Sequence, residues 1–586
     1  MCKREVAFAA AGRLIAAAIR CALGLGAWAA VAFPAKPASA TEPDKLVKAV
    51  KVLPDKAVDA SSLKTIVACV TRGCQSNDDK MIAIDNFMRI SHYHRAYPPG
   101  GPALLWFNNY GWSLCGGLAG LQMSLYSQIP GWSWRGVGGD GHNMSEAKYD
   151  GAWHWVDCFM KSYVWRPDAG APNGRTIASH DDIKKDPTLV TGVLVFDEAE
   201  KVVYAKNNRK EMIGGKLNWM APALLVCGDD IPGVVWQAKK RHLGAESNTP
   251  DAAWKPEAYS AEVNLRPGWS LENTWDALAT PEESWPIKDG LKVGHHCGNK
   301  DLRNDPAAGP VWEPYFEHVR SYWNGRLVFT PDFSSPAVLK SFGACQNVKL
   351  ADGALVPEDA TKPASVTVHV ESPYVIVKIN GTLAGDGVSV AGLKMDGSSF
   401  STLVPGYNQL KQQVKIEIKK SLKALRLEAI VLNNAGVLPY LSPGKNKVAV
   451  SVADPKALGE NKLIVTYAYA PGFRDKSFEE LFKEGKRLFA QQNAHWEAQP
   501  TVVQKTYAAK DLPATFDIDV PTPKDKYPVY PRMLFVRREV VSPGGKPLPL
   551  PAGAAAPKMG PGDELKTLPN PYLIGTQPPP KATAAN

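Results

Sequence analysis

Apolar residues recur at helical spacing twice in the first quarter of the chain. Behind the polar pair Asp78-Asp79, the positions Met81, Ile82, Ile84, Phe87, Met88 and Ile90 give one helix an apolar face, and residues 41–100 as a whole read as a helical segment packing on a core formed by residues 101–240. Leu114, Leu118, Leu121 and Leu125 repeat the pattern behind Ser113, which reads as an N-cap. From 101 to 240 the chain turns rich in Trp and Gly, with seven of the seventeen tryptophans between Trp106 and Trp165. Residues 241–350 hold short β-like pieces, among them Gly325 to Thr330, between Pro, Asp and Asn turns.

Beyond a connector near 351–363 the period changes to two. Alternation at Val366/Val368/Val370, Val375/Val377, Val414/Ile416/Ile418, Val448/Val450/Val452 and Val465/Tyr467/Tyr469, with Asn380-Gly381 as a hairpin turn, predicts an all-β sandwich over 364–472. Residues 473–542 read as a helix and an extension, the helix opened by the capping box Ser477 to Glu480 and carrying Phe478, Leu481, Phe482, Leu488 and Phe489 on one face. The stretch 543–586 has eleven prolines in 44 residues, a composition that builds no core.

The chain has 586 residues, enough for about four domains at roughly 150 residues each. With 45% hydrophobic and 22% charged residues it is neither wholly disordered nor a multi-span membrane protein. The first forty residues read as a secretory signal: a basic start, an apolar run from Cys21 to Phe33, and the small-x-small site Ala38-Ser39-Ala40. Arg20 interrupts the run, which is too short to span a bilayer, so the mature chain is expected to be exported, periplasmic or extracellular, without an integral membrane segment. The formal charge is +10; the first forty residues hold five Lys and Arg against Glu5, which leaves +6 for the rest. No basic stripe with interleaved aromatics concentrates that excess, which argues against a nucleic-acid partner.

Export changes the meaning of the cysteines, because an oxidising compartment lets thiols pair. Without Cys2 and Cys21 there remain Cys69, Cys74, Cys115, Cys158, Cys227, Cys297 and Cys345, an odd number that leaves one thiol unpaired within the chain. Cys69 with Cys74 is the one local pairing the spacing offers. Cys115 falls in the first turn of the helix behind Ser113, where the helix dipole and unbonded backbone N–H groups favour a thiolate over the ordinary thiol.

Downstream, Asp150-Gly151 signals a two-residue type I′ hairpin. In that register Tyr149 faces Ala152, Met144 faces Asp157 and His142 faces Phe159, so His142 and Asp157 are diagonal neighbours on one sheet face. An imidazole there is oriented by the carboxylate, as in a catalytic triad. His154 pairs with Ala147 on the opposite face and reads as structural or surface.

Cys115 opening a helix, His142 starting a hairpin, and Asp157 closing Gly151-Ala-Trp153 and three further residues together resemble the transglutaminase-like superfamily. The resemblance covers about fifty residues. It implies an α+β, papain-like core and a Cys115-His142-Asp157 triad acting by acyl transfer, in a family of cross-linkers, peptidases, deamidases and inactive scaffolds. Asn143 and Met144 depart from the small and aromatic residues common after the family's histidine, and Cys158 stands where proline is common, which suggests a disulfide anchoring the hairpin. In this reading the oxyanion is held by the Cys115 backbone N–H and a second donor, Trp112 or Asn109, and the substrate is a protein or cell-wall peptide.

Other signals are weaker. Trp132, Trp134, Trp153 and Trp155 are candidates for lining a substrate cleft, although such residues more often fill a core. His295-His296-Cys297 with His318 matches no zinc spacing, and neither Asp78-Asp79 nor Asp229-Asp230 belongs to a calcium loop, so no metal or other cofactor is expected. The β-sandwich is a candidate carbohydrate or protein module, and with an idle core the whole chain would be an extracellular binding scaffold.

Overall fold

The computed structural model describes residues 46–94, 98, 100–138, 143–158, 163–171, 174–186, 189, 194–196, 202–205, 259–276, 278, 323–406, 408–476 and 494–550. The signal segment, His142, Cys227, His295 to Cys297, His318, the helix expected after Ser477 and most of the proline-rich tail lie outside the described residues.

The segment expected to be helical opens instead with a strand, β1 (Lys51–Pro54), which pairs antiparallel with the distant strand Gly444–Ser451. Two helices come after it, α1 (Leu63–Val70) and α2 (Asn77–Ser91), each started by a capping box. In the second, Ser76 Oγ accepts from the Asp79 N–H at 3.1 Å while Asp79 Oδ2 accepts from the Ser76 N–H at 3.1 Å, satisfying two of the N–H groups a helix start leaves open. The apolar face predicted for α2 is correct but understated. Every residue from Met81 to Met88 is buried, Asp85 and Asn86 included, so this stretch of the helix is enclosed on all sides.

Strand β2 (Tyr93–His94), helix α3 (Ala103–Asn109) and strand β3 (Trp112–Ser113) lead into helix α4 (Cys115–Tyr126), with β2 and β3 paired in parallel. A three-stranded sheet comes next: β4 (Ser133–Gly138), β5 (Asn143–Tyr149) and β6 (Ala152–Val156), in that spatial order. Asp150 at φ 49° and Gly151 at φ 79° form the two-residue turn, both in the left-handed region a type I′ turn requires. The sheet packs on α4, and Ser145 Oγ donates to Gln122 Oε1 at 2.9 Å across the interface. Strands β7 (Trp165–Pro167) and β8 (Arg175–Ile177) and helix α5 (His180–Lys185) complete this mixed α/β region.

The second region is a large antiparallel sheet. Its central strand, Lys411–Asn433, pairs with Ser365–Glu371 through its first half and Trp323–Phe329 through its second, and with Ile376–Val390 along the other edge. The alternation read in sequence is borne out in Ser365–Glu371, where Val366, Val368 and Val370 are buried while His369 and Glu371 are exposed. Asn380-Gly381 is not a turn but the middle of Ile376–Val390. Gly381 is there because the Phe400 ring covers it: a Cβ would lie 2.1 Å from the ring. The sheet also reaches beyond 364–472. Trp269–Asp276 and Trp323–Phe329 join it from upstream, and Thr501–Tyr507 and Tyr527–Val541 from downstream.

The two regions are bonded through the end of α3. The Asn434 N–H donates to Asn108 O at 2.9 Å, Asn434 Nδ2 to Phe107 O at 2.9 Å, and the Val375 N–H to Asn109 Oδ1 at 2.6 Å. Val375, Val377, Ile430 and Leu432 extend the apolar core of the α/β region into the sheet.

Candidate active site

Cys115 is the first residue of α4. Leu114, rather than Ser113, is the N-cap, with extended backbone and no side-chain hydrogen bond to the first turn. Ser113 lies in β3, and its buried hydroxyl makes no hydrogen bond among the described residues; a Cβ on Gly117 would fall 1.9 Å from it, so β3 lies tight against the first turn of α4. The early N–H groups of α4 therefore have no capping side chain, and the positive end of the helix dipole falls at Cys115. Cys115 is 6% exposed, and ten of the twelve residues of α4 are buried.

The hairpin has the predicted register: Tyr149 faces Ala152, Ala147 faces His154 and Ser145 faces Val156. Asp157, directly after β6, is 3% exposed. It lies close enough to Tyr126, at the far end of α4, to act on it electrostatically. The Tyr126 phenol is held well above its ordinary pKa, first by burial and then by the electrostatic influence of Asp85, Cys158 and Asp157, opposed by a hydrogen bond with Ser145. Asp85, Gln122, Tyr126 and Ser145 thus form a buried polar layer between α2, α4 and β5, beside Asp157. Sequence reasoning missed that layer, although a carboxylate inside the apolar run from Met81 to Met88 was a signal for it.

His154 is structural. It is buried, its Nδ1 lies 2.7 Å from Ile177 O and its Nε2 3.2 Å from Tyr149 O, and its ring stacks on Tyr149 at 3.7 Å. Tyr149 donates to Asp78 Oδ1 at 2.5 Å, and Thr176 Oγ1 donates to the same oxygen at 3.1 Å. Asp78 is therefore a clamp joining α2, β5 and β8, and burial raises its pKa.

Other candidates have different roles. Asn109 Nδ2 donates to Leu105 O, Tyr259 Oη and Pro373 O, and its Oδ1 takes the Val375 N–H, so its amide holds α3 to the sheet and is not left to an oxyanion. Trp112 is 1% exposed and packs edge-on to Tyr110 at 5.2 Å. Trp132, Trp134 and Trp155 fill the core instead of lining a cleft: Trp132 stacks on Tyr149 at 4.6 Å, and Trp155 Nε1 donates to Met144 Sδ at 3.3 Å. Trp153 alone of the four is half-buried, with the Arg135 guanidinium 4.1 Å above its ring.

Cys69 and Cys74 are free thiols rather than a disulfide, as is Cys345. Burial, with Asp79 nearby, pushes the Cys74 thiol up to about 12, and burial takes Cys345 to about 11, so neither is a nucleophile at neutral pH. Among the described residues no three His, Cys, Asp or Glu side chains converge to hold a metal, and no helix is long and apolar enough to cross a membrane. Three cavities, of about 310, 490 and 350 Å³, lie along the sheet region, and neither Cys115 nor Asp157 lines any of them. Comparison with family models, curated proteins and solved structures finds no match to this chain.

Proposed function

We propose that the chain is an exported cysteine-nucleophile enzyme of transglutaminase-like type, with a papain-like core and an immunoglobulin-like β-sandwich, acting on amide bonds of a protein or cell-wall peptide. The observation that carries the reading is Cys115 at the uncapped start of the buried helix α4. Further support comes from the β5–β6 register, the premise on which His142 and Asp157 were assigned to one sheet face.

In this mechanism His142 takes the thiol proton and the Cys115 sulfur attacks the amide carbonyl. The tetrahedral oxyanion is held by the Cys115 backbone N–H. As the C–N bond breaks, the imidazolium returns the proton to the leaving amine or ammonia, and a thioester remains. Water then gives a carboxylic acid, or a substrate amine gives a new amide, with His142 again taking the incoming nucleophile's proton. Asp157 orients the imidazole and stabilises its charged form.

The test is alkylation by iodoacetamide at pH 6, mapped by mass spectrometry, in the wild type and in His142→Ala. A working triad gives selective labelling of Cys115 that is lost in H142A. Equal labelling of the two proteins refutes the triad and leaves the binding scaffold, with its β-sandwich, as the function.

A further inference from the structure

Arg538 is a buried cation for which the described residues provide no anion. It stands on strand Tyr527–Val541 opposite Leu271 and Val465, and shares its side of the strand with Val536 and Val540, both fully buried. The residue is 5% exposed. Nη1 donates to Asn273 Oδ1 at 2.8 Å, while Nε is buried without a hydrogen-bond partner among the described residues. The neighbouring groups that act on its charge are the phenols of Tyr374 and Tyr467, and burial draws its pKa down.

Two other arginines, the buried Arg537 and the partly buried Arg135, are treated differently. On the opposite face of the same strand Arg537 gives two N–H groups to Glu272 Oε2, at 2.7 and 2.6 Å, and in the α/β region Arg135 Nε meets Glu146 Oε2 at 2.7 Å. Buried charges are ordinarily paired in this way, because removing an ion from water without compensation is strongly unfavourable. Arg538 departs from that pairing among the described residues, and it lies on a cavity. That cavity has a volume of about 350 Å³ and is lined by Arg538 and Tyr374 together with Val52, Val58, Val263 and Val437. Lys51, Asp59 and Glu262 also border it; Lys51 and Asp59 pair with each other at 2.5 Å, and Glu262 is exposed, so neither carboxylate is taken up by Arg538.

We propose that this cavity is a binding site for an organic monocarboxylate, its carboxylate on the Arg538 guanidinium and its apolar body against the valine walls. A planar carboxylate accepts two parallel N–H bonds from a guanidinium and supplies the missing charge. Apolar walls around a cationic group that no carboxylate neutralises, Lys51 at the border being paired with Asp59, select against inorganic anions and against neutral apolar molecules alike. The site shares no residue with the proposed triad, so its test is independent of that chemistry.

The experiment is isothermal titration of the full mature chain with sodium hexanoate, with 1-hexanol as the uncharged counterpart and sodium chloride as competitor. Hexanoate is expected to bind saturably, at least tenfold tighter than hexanol, and to resist competition by chloride at millimolar concentration. Arg538→Met, which keeps the side-chain length and strands no partner charge, is expected to weaken hexanoate at least tenfold and leave hexanol unchanged. Hexanoate binding no tighter than hexanol, displacement by millimolar chloride, or unchanged affinity in R538M overturns the proposal. Should R538M not fold, the wild-type comparison decides, with hexanoate-dependent protection from hydrogen exchange at Val52 and Val263 expected and its absence counting against the site.

Discussion

His92 gives the sharpest prediction. It lies just after α2 at the boundary with β2, is buried, and packs edge-on to Phe107 at 5.2 Å. Ser91 Oγ lies 2.8 Å from its Nδ1 and donates its own proton to Phe87 O at 2.7 Å, so Nδ1–H must be the donor of the first pair. Nε2 then carries the lone pair, and it is buried with no hydrogen-bond partner among the described residues. Protonation would place an N–H⁺ in that apolar site, and burial accordingly pushes the His92 pKa down from 6.5 to about 3.

The sign of the effect is set by that direction. Between pH 6.5 and 3 the unfolded chain binds a proton that the folded chain refuses, so stability is complete above pH 6.5 and falls as the solution is acidified. At pH 4.5 an unfolded histidine of pKa 6.5 gains about 2.7 kcal/mol from protonation, and the folded state gains almost none. Urea unfolding followed by tryptophan fluorescence, which reports on the Trp-rich α/β region, should be measured at pH 7.5 and 4.5 for the wild type and His92→Phe. Phe keeps a ring against Phe107 and removes Nε2. The wild type should lose about 2.7 kcal/mol more than the variant between the two pH values. Whatever H92F does to packing or to the Ser91 contact is common to both conditions and cancels. Parallel pH dependence in the two proteins would refute the reasoning.

Three further outcomes are expected. Glu272→Ala takes from buried Arg537 the carboxylate it meets at 2.6 Å, leaving it only Glu539 at 3.9 Å, and should cost about 3–5 kcal/mol in urea; a loss below about 1 kcal/mol would show that Glu539 takes over the pairing. Gly381→Ala drives a methyl into the Phe400 ring and should cost about 1–3 kcal/mol, with Phe400→Ala relieving it in a double-mutant cycle; additive losses would show that the two do not touch. Trp155→Ala should cost about 3–5 kcal/mol by opening a core cavity, whereas Trp153→Ala should stay below about 1 kcal/mol, and similar losses for both would restore the pair as equivalent.

Local rules made much of this protein legible before its fold was known. The β5–β6 register could be counted from Asp150-Gly151, because a two-residue turn with two left-handed residues fixes every cross-strand pair beyond it. The polar start of α2 at Asp78-Asp79 and the alternation of Val366, Val368 and Val370 are likewise set by near neighbours, although the cap Ser76 was read only from the structure. Where the sequence reading failed, distant residues had intervened. Asn380-Gly381 carries the signature of a turn, yet Phe400 pins Gly381 inside a strand. Residues 51–54 end in Pro54, a helix breaker that the reading of 41–100 as helical passed over, and they pair with 448–451, nearly four hundred positions away. Asn109 looked available for catalysis until Pro373 and Val375 took its amide, and the tryptophans that looked like a cleft are consumed by packing on Tyr149 and Met144. The chain's own order determined which residues can cap, turn and alternate, since those depend on spacing alone. Which polar groups end buried, and which of them meet no opposite charge among the described residues, as with Arg538, was decided only by tertiary structure, because desolvation and pairing depend on what the rest of the chain brings into contact.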